Sequence, residues 1–190
     1  MCGVSPVTVC SLKHLDLSYN SVLGVPQSLL TTSLTRLTSL RLLQVQISEV
    51  QVEAVMRALA GPHSLEALEL QGISLATLQP QLFSAALSNL RNVSIHNTFG
   101  YNLTPQQLTQ LALQTVSNKQ RKLSYFTLVL ADLAEVDLPT LDQFLMTDVR
   151  VRLTDCTLSE AQYQHFKQKQ GIDMNNFGCE NSVNLNNFLI

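Results

Sequence analysis

The sequence predicts an α/β solenoid of about six strand–helix units, with parallel strands on a concave face and helices on a convex one. Three observations predict it. An apolar triplet, Leu-x-x-Leu-x-Leu, returns roughly every 25 residues along the chain. Leucine alone supplies 35 of the 190 residues, well above ordinary usage. Helix-start signals fall in the gaps between triplets, where a solenoid needs its return path. Each unit would bury its apolar face only against its neighbours.

The copies read Leu12, Leu15, Leu17; then Leu40, Leu43, Val45; then Leu65, Leu68, Leu70; then Leu90, Val93, Ile95; then Leu123, Phe126, Leu128. A sixth copy keeps Val151 and Leu153. The last two members of each copy share one face of a short strand, because side chains alternate along it. They are expected to point inward, at spacings of 28, 25, 25, 33 and 25 residues.

The first gap, Val25 to Leu37, is rich in threonine and predicts only a short or irregular helix. Ser48 and Gln51 form a capping box ahead of Val52, Val55, Met56 and Leu59, and Gly61-Pro62 stops that helix. Leu75, Leu78, Leu82 and Ala86 make the next stripe. Thr104, Pro105 and Gln107 open a helix carrying Leu108, Leu111, Ala112 and Thr115. Leu138, Leu141 and Leu145, with Pro139 at the start, mark a fifth helix. Ser159 and Gln162 cap a sixth, with Ala161 and Phe166, ending at Gly171. A doubly wound sheet is disfavoured: its buried strands would be near-continuously apolar, and the chain has no glycine-rich phosphate loop.

On these residues the chain resembles the leucine-rich repeat proteins of the strand-plus-helix kind, such as ribonuclease inhibitor, NOD-like receptors and F-box proteins. The run Leu12-Lys13-His14-Leu15-Asp16-Leu17-Ser18-Tyr19-Asn20 matches L-x-x-L-x-L-x-x-N in full, and Cys156 takes the alternative cysteine at the asparagine position. The resemblance implies a hydrogen-bonded ladder at that position. Ser48, Ile73, Thr98 and Ala131 stand there in the middle copies, so looser turns are expected. The repeat domain is expected over residues 1–171, followed by an Asn-rich tail or cap over 172–190. The uncharged apolar start is a poor cap, which suggests a fragment of a longer array or an edge that meets a partner. The tail reads equally as a disordered segment or an apolar lid.

A net charge of −2 is not the footprint of a nucleic-acid binder, and no apolar run suits a membrane span. Cys2, Cys10, Cys156 and Cys179 lack the density of a disulfide scaffold and read as free thiols, hence a cytoplasmic or nuclear setting. The sequons at Asn92 and Asn102 point the other way but arise readily by chance. His14, His63, His96 and His165 are scattered over four units, so no metal or cofactor is expected. His14, Asp16 and Ser18 lie side by side on one strand, without an oxyanion hole, so no catalytic site is expected.

The outward strand positions are the candidate partner-binding site: His14, Asp16, Gln44, Gln46, Glu69, Gln71, Ser94, His96, Tyr125, Thr127, Arg150 and Arg152. Leu42, Ala67 and Asn92 fall in the same rows. The expected function is a non-catalytic module that binds a partner protein, as a monomer or within a larger complex. The resemblance implies two roles, substrate recognition in a ubiquitin ligase or, alternatively, an innate-immune sensor or enzyme inhibitor.

Overall fold

The computed structural model describes residues 12–97, 103–117, 122–145, 149–154, 156–170 and 182–183. The expectations placed on Cys2, Cys10, Cys179, Thr98, Asn102, Gly171 and most of the tail lie outside the described residues, as do those on the side chains of Thr115, Leu145 and Phe166. Strands and helices alternate: β1 (His14–Asp16), α1 (Gln27–Leu34), β2 (Ser39–Leu43), α2 (Glu49–Ala60), β3 (Ala67–Gln71), α3 (Pro80–Ser88) and β4 (Asn92–His96). Then come α4 (Pro105–Ser117), β5 (Tyr125–Val129), α5 (Leu138–Leu145), β6 (Arg150–Thr154), β7 (Cys156–Thr157), α6 (Glu160–Gln170) and β8 (Ser182–Val183).

The first six strands form one all-parallel sheet in chain order. A doubly wound sheet would reverse its strand order at a switch point; this one does not. From β3 to β6 the strands bury alternate residues, β2 buries Leu43 as well as Leu40 and Leu42, and α1 to α5 pack each against the next in sequence. The result is two layers, with helices over one face of the sheet, compatible with a repeat solenoid. Among the described residues no helix is long and apolar enough to cross a membrane.

The register corrects one expectation. Leu15 pairs with Leu40 and Leu40 with Leu68, so the inward residues of the second unit are Leu40 and Leu42, not Leu43 and Val45. The run Leu37, Leu40, Leu42 is buried throughout. Two overlapping copies of the template share Leu40, and three residues separate them. Because that offset is odd, it turns the strand over. The inward positions Leu15, Leu40, Leu68, Val93, Phe126 and Val151 are therefore 25, 28, 25, 33 and 25 residues apart. Another expectation shifts too: Leu75 and Leu78 form a turn before α3, whose first residue is Pro80.

Short and long units now alternate, with helices of 8, 9 and 8 residues in α1, α3 and α5 and of 12, 13 and 11 in α2, α4 and α6. Each short unit opens its helix after the same tight turn. Val25 N–H donates to the Val22 carbonyl, Leu78 to Leu75 and Val136 to Leu133. Each long unit opens with a capping box whose glutamine does more than cap. Gln51 Oε1 accepts from Ser48 N–H at 3.1 Å, while its Nε2 donates to the Val22 and Val25 carbonyls, both at 2.8 Å. Gln107 does the same for Thr104 at 2.9 Å and for Leu75 and Leu78 at 2.6 and 2.9 Å. Gln162 repeats it with Ser159 at 2.7 Å and Leu133 and Val136 at 2.9 and 2.6 Å. All three glutamines are buried. They satisfy carbonyls that a tight turn leaves without water, which buried backbone requires. Units 1–2, 3–4 and 5–6 are thereby stapled in pairs. Ser84 Oγ donates to Gln114 Oε1 and Gln114 Nε2 to Ser88 Oγ, a second bridge within the middle pair.

Of the side-chain ladder that the resemblance implies, one cross-unit bond is seen among the described residues, from Cys156 Sγ to the Leu128 carbonyl at 3.5 Å. Asn20 Nδ2 bonds locally to the Leu17 and Ser18 carbonyls, whereas Val45, which the corrected register puts at that level in place of Ser48, is buried and apolar, as are Ile73 and Ala131. The Cys156 thiol is fully buried and also lies 3.5 Å from the Thr154 carbonyl. The turn that follows the strand has a left-handed residue at the same register position in four units, at Tyr19, Gln44, Gly72 and Leu130. Only glycine adopts that conformation without strain. Leu130, at φ 56° and exposed, carries the cost with no packing in return. Leu130→Asn should therefore raise stability by about 1 kcal/mol, read from the urea midpoint.

Asp137 caps α5, its Oδ1 accepting from Thr140 N–H at 2.9 Å. Bonds from the Thr140 hydroxyl and amide hold the Asp137 carboxyl below its ordinary pKa. A depressed carboxyl stabilises fully above its unfolded value, near pH 4, and that contribution fades as pH falls through the folded value. Asp137→Ala should cost about 1 kcal/mol at pH 7, and the difference from the parent should vanish in strong acid. β8 returns to pair antiparallel with β7, Cys156 with Val183 and Thr157 with Ser182.

Candidate functional site

The helix-free face of the sheet gathers the outward side chains in three rows. The first runs His14, Ser39, Ala67, Asn92, Tyr125, Arg150. The second runs Asp16, Arg41, Glu69, Ser94, Thr127, Arg152. Leu43, Gln71, His96, Val129 and Thr154 align in the third. Ten of the expected residues thus share this face, in β1 and β3 to β6. Gln44 and Gln46 do not belong to these rows. Gln44 occupies the left-handed turn after β2, where its side-chain amide packs on Gly72, and Gln46 bridges Ser21 beyond the sheet proper. Leu42, also expected outward, is buried inward. All three follow from the one register correction.

The same correction brings forward Arg41, a residue that the sequence reading missed. It was legible in principle: in the copy Leu37-Thr38-Ser39-Leu40-Arg41-Leu42 the arginine sits between the inward pair. Arg41 Nε lies 2.9 Å from Glu69 Oε2, and Nη1 lies 3.8 Å from Asp16 Oδ2. Glu69 in turn faces His96, whose Nε2 is 3.9 Å from Oε1 and 3.0 Å from Ser94 Oγ. A polar chain thus crosses four strands: Asp16, Arg41, Glu69, His96, Ser94. The Ser18 hydroxyl and amide hold the Asp16 carboxyl below its ordinary pKa, with a smaller contribution from Arg41. Exposed pairs of this kind add little stability, so they bear on what the face presents to others.

At the other end of the face, Arg150 stacks over the Tyr125 ring at 5.3 Å and donates from Nη1 to its hydroxyl at 3.0 Å. Between the two groups lies an open depression of about 230 Å³. Its floor is Ala67, Asn92, Ser94 and Thr127, and its walls are Arg41 with Glu69 on one side and Tyr125 on the other. It exists because Ala67, Asn92, Ser94 and Thr127 are shorter side chains than the Arg41, Glu69 and Tyr125 around them.

Two further described histidines lie away from this face. His63 sits half-buried in the loop between α2 and β3, where burial lowers its pKa. His165 on α6 lies 3.4 Å from Asp142 on α5. Among the described residues no three His, Cys, Asp or Glu side chains are grouped to hold a metal ion. Asp16 engages Ser18 and Arg41, an arrangement for orienting charge on an open surface. No family model and no curated protein matches this chain.

Proposed function

We propose that the chain is a leucine-rich repeat module that binds a partner protein on the helix-free face of its sheet. The observation that carries this reading is the contrast between the two faces. One is sealed by helices; the other presents a cross-strand polar chain, a depression and an arginine–tyrosine pair. Tyr and Arg are the residues that most often dominate binding energy at interfaces, especially around a central pocket. An extended, slightly curved strand surface is also where repeat proteins recognise their partners. The narrower roles differ in what travels with the bound protein. Ubiquitin-ligase subunits would accompany a substrate-recruiting arm, whereas a sensor or inhibitor would retain a single target enzyme or receptor.

The test is affinity purification with quantitative mass spectrometry, comparing the parent with Arg41→Gln/Arg150→Glu/Arg152→Glu. Exposed positions of this kind leave stability nearly unchanged, so circular dichroism should show the same fold. The specific partner is expected to fall by about tenfold or more. Equal recovery of every partner by a folded variant would remove the face from the account.

A further inference from the structure

We propose, resting on that reading of the face, that its partner presents an extended acidic peptide. The peptide seats one apolar side chain in the depression over Ala67 and places a carboxylate against Arg150 about three residues away. Three observations lead there. First, the face is not uniformly charged. Asp16 and Glu69 are both taken up by Arg41, and Glu69 also faces His96, so the acidic groups of β1 and β3 already have cationic neighbours. Arg150, by contrast, is bonded and stacked to Tyr125, a neutral group. Its guanidinium is held flat by the ring while keeping its positive charge for a further ligand, and a guanidinium so oriented suits a carboxylate fork. Arg152 stands two residues along the same strand and face and has an interaction of its own, so the carboxylate is assigned to Arg150.

Second, the depression has an apolar floor in the Ala67 methyl and an aromatic wall in Tyr125, with Asn92, Ser94 and Thr127 as hydrogen-bonding neighbours. Its volume accommodates one side chain of leucine or phenylalanine size. Apolar lining with a few convergent polar groups is the usual make-up of a recognition pocket. Third, the two features are spaced for an extended chain. Ala67, beneath the anchor, is on β3, and the Arg150 guanidinium lies over the Tyr125 ring on β5, two strands away. Two strand spacings are about 10 Å, and an extended chain covers about 3.3 Å per residue, which gives three residues between anchor and acid. The peptide then crosses the strands, along the direction in which the units repeat.

Random peptides displayed on phage and selected against the full-length chain supply the probe. The enriched peptides are expected to carry an apolar residue and an Asp or Glu three positions apart. A fluorescein-labelled peptide from that set should bind Ala67→Leu, which fills the depression, and Tyr125→Ala, which removes its wall, at least about tenfold more weakly. Selection repeated on Arg150→Glu/Arg152→Glu should replace the acid by Lys or Arg at the same spacing. Peptides lost by Ala67→Leu and Tyr125→Ala but indifferent to Arg150→Glu/Arg152→Glu would overturn the acidic peptide while leaving the face as a binding surface. Peptides indifferent to all these changes, or no enrichment, would overturn the proposal; whether the face binds any protein is read separately from the partner-capture experiment.

Discussion

Gln107→Ala is expected to destabilise the protein by about 3–5 kcal/mol, a large share of the stability of an ordinary domain. The substitution strips a partner from three backbone groups at once: Thr104 N–H and the carbonyls of Leu75 and Leu78. Gln107 is fully buried, so these groups have no immediate water to turn to. Each unsatisfied buried group costs about 1–3 kcal/mol, with some recovery as water enters the space left behind. Gln107→Glu keeps the volume and the acceptor for Thr104, but it sets an oxygen against the two carbonyls in place of an amide. It should cost at least as much, which separates hydrogen bonding from packing. Gln106→Ala, at the exposed neighbouring position, should change stability by less than about 0.5 kcal/mol. Urea unfolding with an unchanged slope measures all three. A loss below about 1 kcal/mol for Gln107→Ala would mean that the staple between units 3 and 4 is not structural.

The second large effect belongs to the sheet. Phe126 is fully buried in β5, next to Tyr125, which faces the other way and is 46% exposed. Phe126→Ala should cost about 3–5 kcal/mol through lost burial and the cavity left behind. Tyr125→Ala should cost about 1 kcal/mol or less, the worth of a cross-strand pair with Arg150. The ratio between two adjacent residues tests which face of the sheet is sealed. Comparable losses at the two positions would contradict the alternation on which both the core and the candidate site rest.

These two experiments also divide what could be read from the residues from what could not. Alternating apolar pairs placed the strands at Leu68 and Leu70, Val93 and Ile95, Phe126 and Leu128, and Val151 and Leu153, and the capping boxes placed three helix starts, because both signals are local. The outward rows followed wherever the inward pair was unambiguous, which is why Glu69, Ser94, His96, Tyr125, Thr127, Arg150 and Arg152 fall on one face. Around β2 the run Leu37 to Val45 satisfies the template in two offsets, and nothing within the run chooses between them. The choice comes from hydrogen bonds to β1 on one side and β3 on the other. With it went Arg41, and with Arg41 the charge pattern of half the face.

The stapling glutamines show the same division from another side. Ser48 with Gln51, Thr104 with Gln107 and Ser159 with Gln162 were visible as capping boxes, since a cap spans three residues. Their amides, however, reach carbonyls 26 to 32 residues earlier. A residue pattern of local period carries the identity and start of each element, because backbone propensity and side-chain alternation act over a few residues. Which strand offset is adopted, and which turn each buried amide satisfies, depends on groups a full unit away, and these meet only once neighbouring units have packed.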